Sequence, residues 1–334
     1  MYAFAVMSLE SEVRSHELLE SAFEKHRHNI DVDKARLAYE AAKEEWDNVA
    51  TVETVFRNNL ESRHSVMPHI TVHQALMYFQ VHDLSVELAE VRGSVEPQGL
   101  CALLSCLLGP PELHDHLTAE RDLVFAIAQR KLDMSEPVHV RMLQTVYQRL
   151  TGTRMDCPCY GSHWEHIGFQ GTDPGTDLRG VGMLGLLQLL YLCNTPHLIP
   201  LARDIYRVSV DEQQNFPLAV MSLNMTRISL QALRHGELNR QCNHQQLVVQ
   251  VVNQFYVAVF YHTLHIWTSQ HKTIRDSGYV LKDVEFYCRG NVRAVLRDLQ
   301  DQLASYTSTR SHDKPCIPGS FQDLLTQAKT EVFI

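Results

Sequence analysis

The residues best suited to chemistry lie in one stretch, 151–182, which reads TGTRMDCPCYGSHWEHIGFQGTDPGTDLRGVG. Within it Arg179 stands just before an apolar run over 181–193. A guanidinium is always charged, and its planar fork of donors matches the oxygens of a phosphate or carboxylate. In the first turn of a helix such a cation opposes the macrodipole, at a cost of about 0.3–1 kcal/mol. Two readings account for a residue kept there. In one, Arg179 pairs with Asp173 or Asp177 and fixes the loop's shape, Asp177 also being a natural cap for the following helix. In the other, Arg179 points outward from a rigid platform. A platform is legible around it, since Gly168, Gly171, Gly175, Gly180, Gly182 and Pro174 crowd one loop. Loops of more than about 12–15 residues inside a compact domain are usually functional or disordered. Trp164, Ile167 and Phe169 argue for the former, because they can pin the segment to a core.

Other chemistries compete for the same stretch and fare worse. Gly180, Gly182 and Gly185 fit the G-x-G-x-x-G spacing, but a dinucleotide site needs a strand directly before it and TDPGTDLR is not one. Glycines that permit close helix packing are the plainer reading. A Walker phosphate loop is absent, since no Gly-Lys-Ser/Thr follows. Cys157, Cys159, His163 and His166 lie close in sequence, yet paired zinc cysteines are normally separated by two to four residues rather than by the one found here, Pro158. The sequence therefore predicts no metal site and no cofactor of the chain's own. It also holds no convincing nucleophile–base pair.

The elements that must position this loop read as helices. Hydrophobic residues make up 45% of the 334-residue chain, enough for a sizeable core, while Gly and Pro number 15 and 12, few enough to favour helix. Apolar spacing predicts helices over 113–132, from Pro137 to a stop at Gly152, and over 181–193, 197–209, 216–235, 246–271, 279–288 and 291–306. Thr71 is placed to cap a short helix through Ala75, Leu76 and Phe79. LCALLSCLL, before Gly109-Pro110-Pro111, reads as a further buried helix. The stretch from Leu247 to Trp267 is the most apolar, but Gln250, Asn253, Gln254, His262 and His265 interrupt it, so it is expected to be a core helix rather than a membrane span.

The ends look different. Residues 8–62 are polar and helical in composition, with Asp31 and Asp33 as caps and a thin stripe of Val32, Leu37 and Ala41. The expected organisation is an N-terminal helical or flexible extension over 1–65, a multi-helix domain with its preceding helices over 66–306, and a flexible tail over 307–334. The opening residues carry a short apolar run with no basic residue before it, a poor secretory signal. The eight cysteines are accordingly read as free thiols of a reducing compartment. A net charge of −9 is the opposite of a nucleic-acid binder's basic footprint.

The pattern Trp164, Gly168, Phe169, Gln170, Pro174, Thr176, Asp177, Leu178, Arg179, Gly180, Gly182, followed by Leu186, resembles the signature of ELMO domains with GTPase-activating function. Leu178 is one of the two residue types found there. The stretches GPPELHDHLTAERDLVFAIAQRKLD, PVHVRMLQTVYQRLTG, ALRHGELNRQCNHQQ and KTIRDSGYVLKDVE resemble the same family, and the likeness runs from about Glu44 to residue 306.

The resemblance implies an all-α, compact multi-helix domain whose glycine-rich loop presents an arginine. It implies GTPase activation on Arf and Arf-like small GTPases, with Arg179 the essential arginine supplied to the partner. The partner would carry GTP and magnesium. Trp164 and Phe169 are expected to anchor the platform. Asp177 is expected to orient Arg179 or cap the helix, and Gln170 to contact the partner or tie the loop. Gly180 and Gly182 are expected to allow the turn and a partner's approach. A cytoplasmic location, at membranes, cytoskeleton or cilium, is a further expectation from the family. The competing reading is a binding module that docks on a GTPase or cytoskeletal assembly without catalysis, Arg179 then being a structural loop residue.

Overall fold

The computed structural model describes residues 68–91 and 110–312. Among the described residues the fold is all helical, without a strand. Its α-helices are α1 (Val72–Val81), α2 (Ser85–Glu90), α3 (Thr118–Gln129), α4 (Pro137–Thr151), α5 (Pro174–Asp177), α6 (Gly182–Asn194), α7 (Ile199–Ser209), α8 (Leu218–Arg234), α9 (Asn239–Gln245), α10 (Val249–Ser269), α11 (Ser277–Gly290) and α12 (Val292–His312).

Local chemistry sets the ends. Thr71 and Gln74 form a capping box at the start of α1, each side chain accepting the other's backbone N–H. Pro137 occupies the first turn of α4, and Gly152 ends it in the left-handed region at φ 74°. The start of α10 is capped from a distance. Both carboxylate oxygens of Glu120 on α3 accept backbone N–H groups, from Val248 and Val249, at 2.9 Å each. An acid there satisfies two orphan donors and the positive end of the helix dipole together.

Two helices organise the core. α6 packs against α1, α3, α4, α7 and α8, and α10 packs against α8, α11 and α12. Each is buried on most of its surface, which is why both are apolar nearly all round. Gln188 of α6 donates to Asn253 of α10 at 3.3 Å, joining the two through a buried polar contact. The Leu247–Trp267 stretch is thus the core helix its interrupting polar residues suggest. Among the described residues no single helix is long and apolar enough to cross a membrane. The bent pair Gly182–Asn194 and Pro196–Ser209 passes on length and composition, and α6 owes that composition to burial by its own protein.

Several expectations shift at their edges. The helix expected over 113–132 begins as a 3-10 turn, Asp115–Leu117, and ends at Gln129. The last helix continues past 306 to His312, because nothing between them breaks a helix. α9 follows Gly236 without a sequence expectation, since its polar composition hides all but the buried Cys242. Residues 307–312 of the expected 307–334 tail are thus helical, while its part from 313, and the helices expected over 8–62 and at LCALLSCLL, lie outside the described residues.

Candidate functional site

The segment 151–182 is a folded platform. At its start, Arg141 of α4 is 1% exposed and pairs with Asp156 at 2.6 Å, while also donating to the Pro68 carbonyl at 2.7 Å and to Gln144 at 3.1 Å. In the middle, the 3-10 turn Ser162–Ile167 buries Trp164 and Ile167. The Trp164 ring meets Tyr147 of α4 and Phe169 edge-on, at 5.5 and 5.9 Å, and its indole N–H donates to the Cys159 carbonyl at 3.0 Å. Trp164, Ile167 and Phe169 therefore pin the loop, as their types predict.

Gly168 fixes the segment over the start of α8. Its φ is 89°, and a Cβ there would collide with backbone atoms of Pro217 and Leu218. That approach lets the Gly168 carbonyl accept the Val220 N–H at 3.2 Å. The chain then folds back, Gly161 donating to the Thr172 carbonyl at 2.9 Å. Asp173 caps the short turn of α5 by accepting the Gly175 N–H at 2.9 Å, with Pro174 buried beneath.

Arg179 lies in the 3-10 turn Leu178–Gly180. Leu178 before it and Val181 after it are buried, whereas Arg179 and Gly180 are exposed. Two apolar anchors flanking a tight turn leave the intervening side chain nowhere to go but outward. Among the described residues Arg179 forms no ion pair and no hydrogen bond. The expected alternatives at this point were a pair with Asp173 or Asp177 and an outward arginine, and the geometry is that of the second.

Asp177 has a different task from capping. α6 has Val181 at its N-cap position, with no side-chain cap. The Asp177 carboxylate instead accepts the Gln170 backbone N–H at 2.6 Å, tying the two limbs of the loop together. The Gln170 and Thr176 side chains remain exposed. Gly182 allows the turn, with a φ of 53°, and a Cβ would strike the carbonyls of Ala128 and Arg130, so the space beside it is taken by the end of α3 of the same chain. Gly180 has open space about its Cβ position. Gly182 and Gly185 are thus the packing glycines of the G-x-G-x-x-G coincidence, preceded by a 3-10 turn and not by a strand.

One supporting element had no local sequence signal. The Arg130 carbonyl accepts the Met183 N–H at 2.8 Å, so the turn after α3 supports the start of α6, just after the turn that carries Arg179. His139 shapes that turn. It is wholly buried against Tyr78 and Phe79, and its Nδ1 accepts the Asp133 N–H at 3.1 Å. Burial, reinforced by the Arg130 charge, brings its pKa down to about 4. The contact joins residues some fifty positions from Arg179, which spacing alone does not reveal.

The cysteine–histidine cluster is not gathered for a metal. Burial pushes the Cys157 thiol up to about 12. His163 Nε2 lies 3.0 Å from the Pro158 carbonyl, which can only accept. Among the described residues no three His, Cys, Asp or Glu side chains converge on a metal position, and the described cysteines are unpaired.

Comparison with known proteins adds a family. The ELMO/CED-12 family profile matches residues 122–281, which include the whole of the loop from Trp164 to Leu186. The chain is 47% identical over 265 residues to ELMO domain-containing protein 3 of Bos taurus, covering 79% of this chain and 69% of the relative. It is 43% identical over 298 residues to ELMO domain-containing protein 3 of Homo sapiens, covering 88% and 77%. Similarity to ELMO domain-containing protein 1 of Homo sapiens is 26% over 195 residues, covering 51% and 56%. No solved structure matches.

Proposed function

This chain belongs to the ELMO/CED-12 family, and from that premise we propose that it is a GTPase-activating protein for Arf and Arf-like small GTPases, supplying Arg179 to its partner's nucleotide site. The observation that carries the reading is an exposed arginine, without an intramolecular partner among the described residues, held between the buried Leu178 and Val181.

The chemistry follows from phosphoryl transfer. GTP hydrolysis spreads negative charge over the γ-phosphoryl group and the leaving oxygen, so a guanidinium delivered there stabilises the transition state more than the ground state. An arginine supplied in trans accelerates such reactions by about 10³–10⁵. That corresponds to roughly 4–7 kcal/mol of barrier. A platform that is ordered before the encounter avoids the cost of ordering it afterwards. The partner supplies magnesium, the phosphate cradle and the residue that orients water. Asp177 acts through the loop, and Trp164, Gly168, Phe169 and Pro174 act through the platform. Gln170, Thr176 and Gly180 are the exposed motif positions beside Arg179 that meet the partner. Gly182 acts by seating the turn on α3. On this reading the chain works in the cytoplasm, wherever its partner sits on membranes, cytoskeleton or cilium.

The test is single-turnover GTP hydrolysis by a panel of Arf and Arf-like GTPases with wild-type chain, Arg179→Lys and Arg179→Ala. Acceleration that both variants lose supports the proposal. Equal acceleration by all three, or none by the wild type on any member, overturns it and leaves a binding module.

A further inference from the structure

A cleft of about 380 Å³ opens between α10 and α12, lined by Tyr261, His262, His265, Asp298, Asp301 and Gln302. Asp298 and Asp301 form no ion pair or hydrogen bond among the described residues. His262 links the cleft to α11, its ring stacked on Tyr287 at 4.6 Å and 10° between planes. On α11, Tyr279 and Phe286 are seven residues apart and so share one row of the helix, with Tyr287 about 100° round from Phe286 at its edge towards His262. Tyr279 is 76% exposed and Phe286 86%. Contiguous exposed apolar surface rimmed by polar residues is a mark of interaction sites. Asp283, one turn before Tyr287, adds an exposed carboxylate to that face. Arg289 is taken by Glu237 and Glu285, and Lys282, Arg293 and Arg297 are not among the cleft's lining residues.

We infer that this cleft and the aromatic face beside it bind a partner's peptide segment in which Lys or Arg is flanked by apolar residues at helical spacing. The cationic head meets Asp298 and Asp301 through charge-assisted hydrogen bonds. Its aliphatic stem lies along Tyr261 and the His262–Tyr287 stack, where ring faces also attract the charge. The flanking apolar residues cover Tyr279 and Phe286. An anionic membrane is the poorer occupant, because unpaired carboxylates on a chain of net charge −9 repel it. The inference is independent of Arg179.

The test uses the full chain and a fluorescent synthetic peptide of alternating Arg/Lys and Leu at helical spacing, with a Glu-for-Lys/Arg peptide as its counterpart. Fluorescence anisotropy is expected to show saturable binding of the basic peptide alone. The paired change Asp298→Asn and Asp301→Asn is expected to weaken it by about tenfold, and Phe286→Ser by roughly fivefold, as for central contacts of an interface. Phe286 is exposed, so circular dichroism should be unchanged. The charge-matched pair Glu112→Gln and Asp115→Asn is expected to leave binding within about twofold, as for rim charges elsewhere on the surface. Equal weakening by that control pair would reduce the effect to diffuse attraction and overturn the inference. So would absence of saturable binding, or Phe286-dependent capture on phosphatidylserine vesicles in place of peptide binding.

Discussion

The Asp177 carboxylate holds the backbone N–H of Gln170 at 2.6 Å, closing the loop two residues before Arg179. A hydrogen bond to a charged acceptor contributes about 1.5–3 kcal/mol, so the loop's shape depends on this carboxylate. Asp177→Ala is expected to lower GTPase activation by roughly tenfold to a hundredfold, the scale expected when a catalytic group is displaced without being removed. Asp177→Asn, which keeps an acceptor, should retain more. Single-turnover rates beside far-ultraviolet circular dichroism check this, and parity between Ala and wild type would sink it.

Among the described residues Arg179 is exposed and forms no ion pair or hydrogen bond. Arg179→Ala should leave urea-unfolding stability within about 0.5 kcal/mol of wild type, as for surface substitutions generally. The same variant should lose the acceleration of about 10³–10⁵. A variant that unfolds instead would make Arg179 a structural residue.

Two motif glycines should separate stability from partner approach. At Gly168 a side chain meets both a left-handed φ and the backbone at the start of α8, so Gly168→Ala should destabilise by at least about 1–3 kcal/mol and alter the near-ultraviolet signal of Trp164. Gly180→Ala has open space around it and should unfold like wild type. If Gly180→Ala nevertheless slows activation, the defect lies in the encounter with the GTPase.

Asp156 is the countercharge of a buried cation. Asp156→Ala removes a carboxylate 2.6 Å from the buried Arg141 and should cost up to about 3–5 kcal/mol, read by urea denaturation. The companion Arg141→Met, which removes the cation as well, should recover part of that loss when combined with it. No recovery in the double variant would mean that the pair's charges are not what sets the stability.

His139 predicts how stability depends on pH. Its folded pKa of about 4 lies below the ordinary imidazole value of 6.5. Between those values the unfolded chain binds a proton that the fold excludes. The stability it contributes is complete above pH 6.5 and is lost as pH falls towards 4, at up to about 1.4 kcal/mol per pH unit. Burial lowers His163 and His262 in the same sense. His139→Asn, whose side-chain oxygen can still accept the Asp133 N–H, should therefore flatten the dependence without abolishing it. An unchanged slope in urea melts at neutral and acid pH would count against the assignment.

Periodicity alone was enough to find α4 and α10, because an amphipathic or wholly buried helix writes its burial into its apolar spacing. Thr71, Pro137 and Gly152 marked helix ends for reasons confined to one turn of backbone. Trp164 and Phe169 announced a pinned loop by being large and apolar among glycines. Where the decision depended on residues distant in the chain, the sequence was silent. Asp177 looks like a helix cap by position, yet the fold of the loop brings it to Gln170 instead. Gly182 looks like room for a visitor, but its space is filled by the end of α3. Whether Arg179 pairs inward or faces outward could not be read from its neighbours' types, since both carboxylates lay within reach along the chain. Tertiary packing decided it, by burying Leu178 and Val181 on either side of the exposed Arg179.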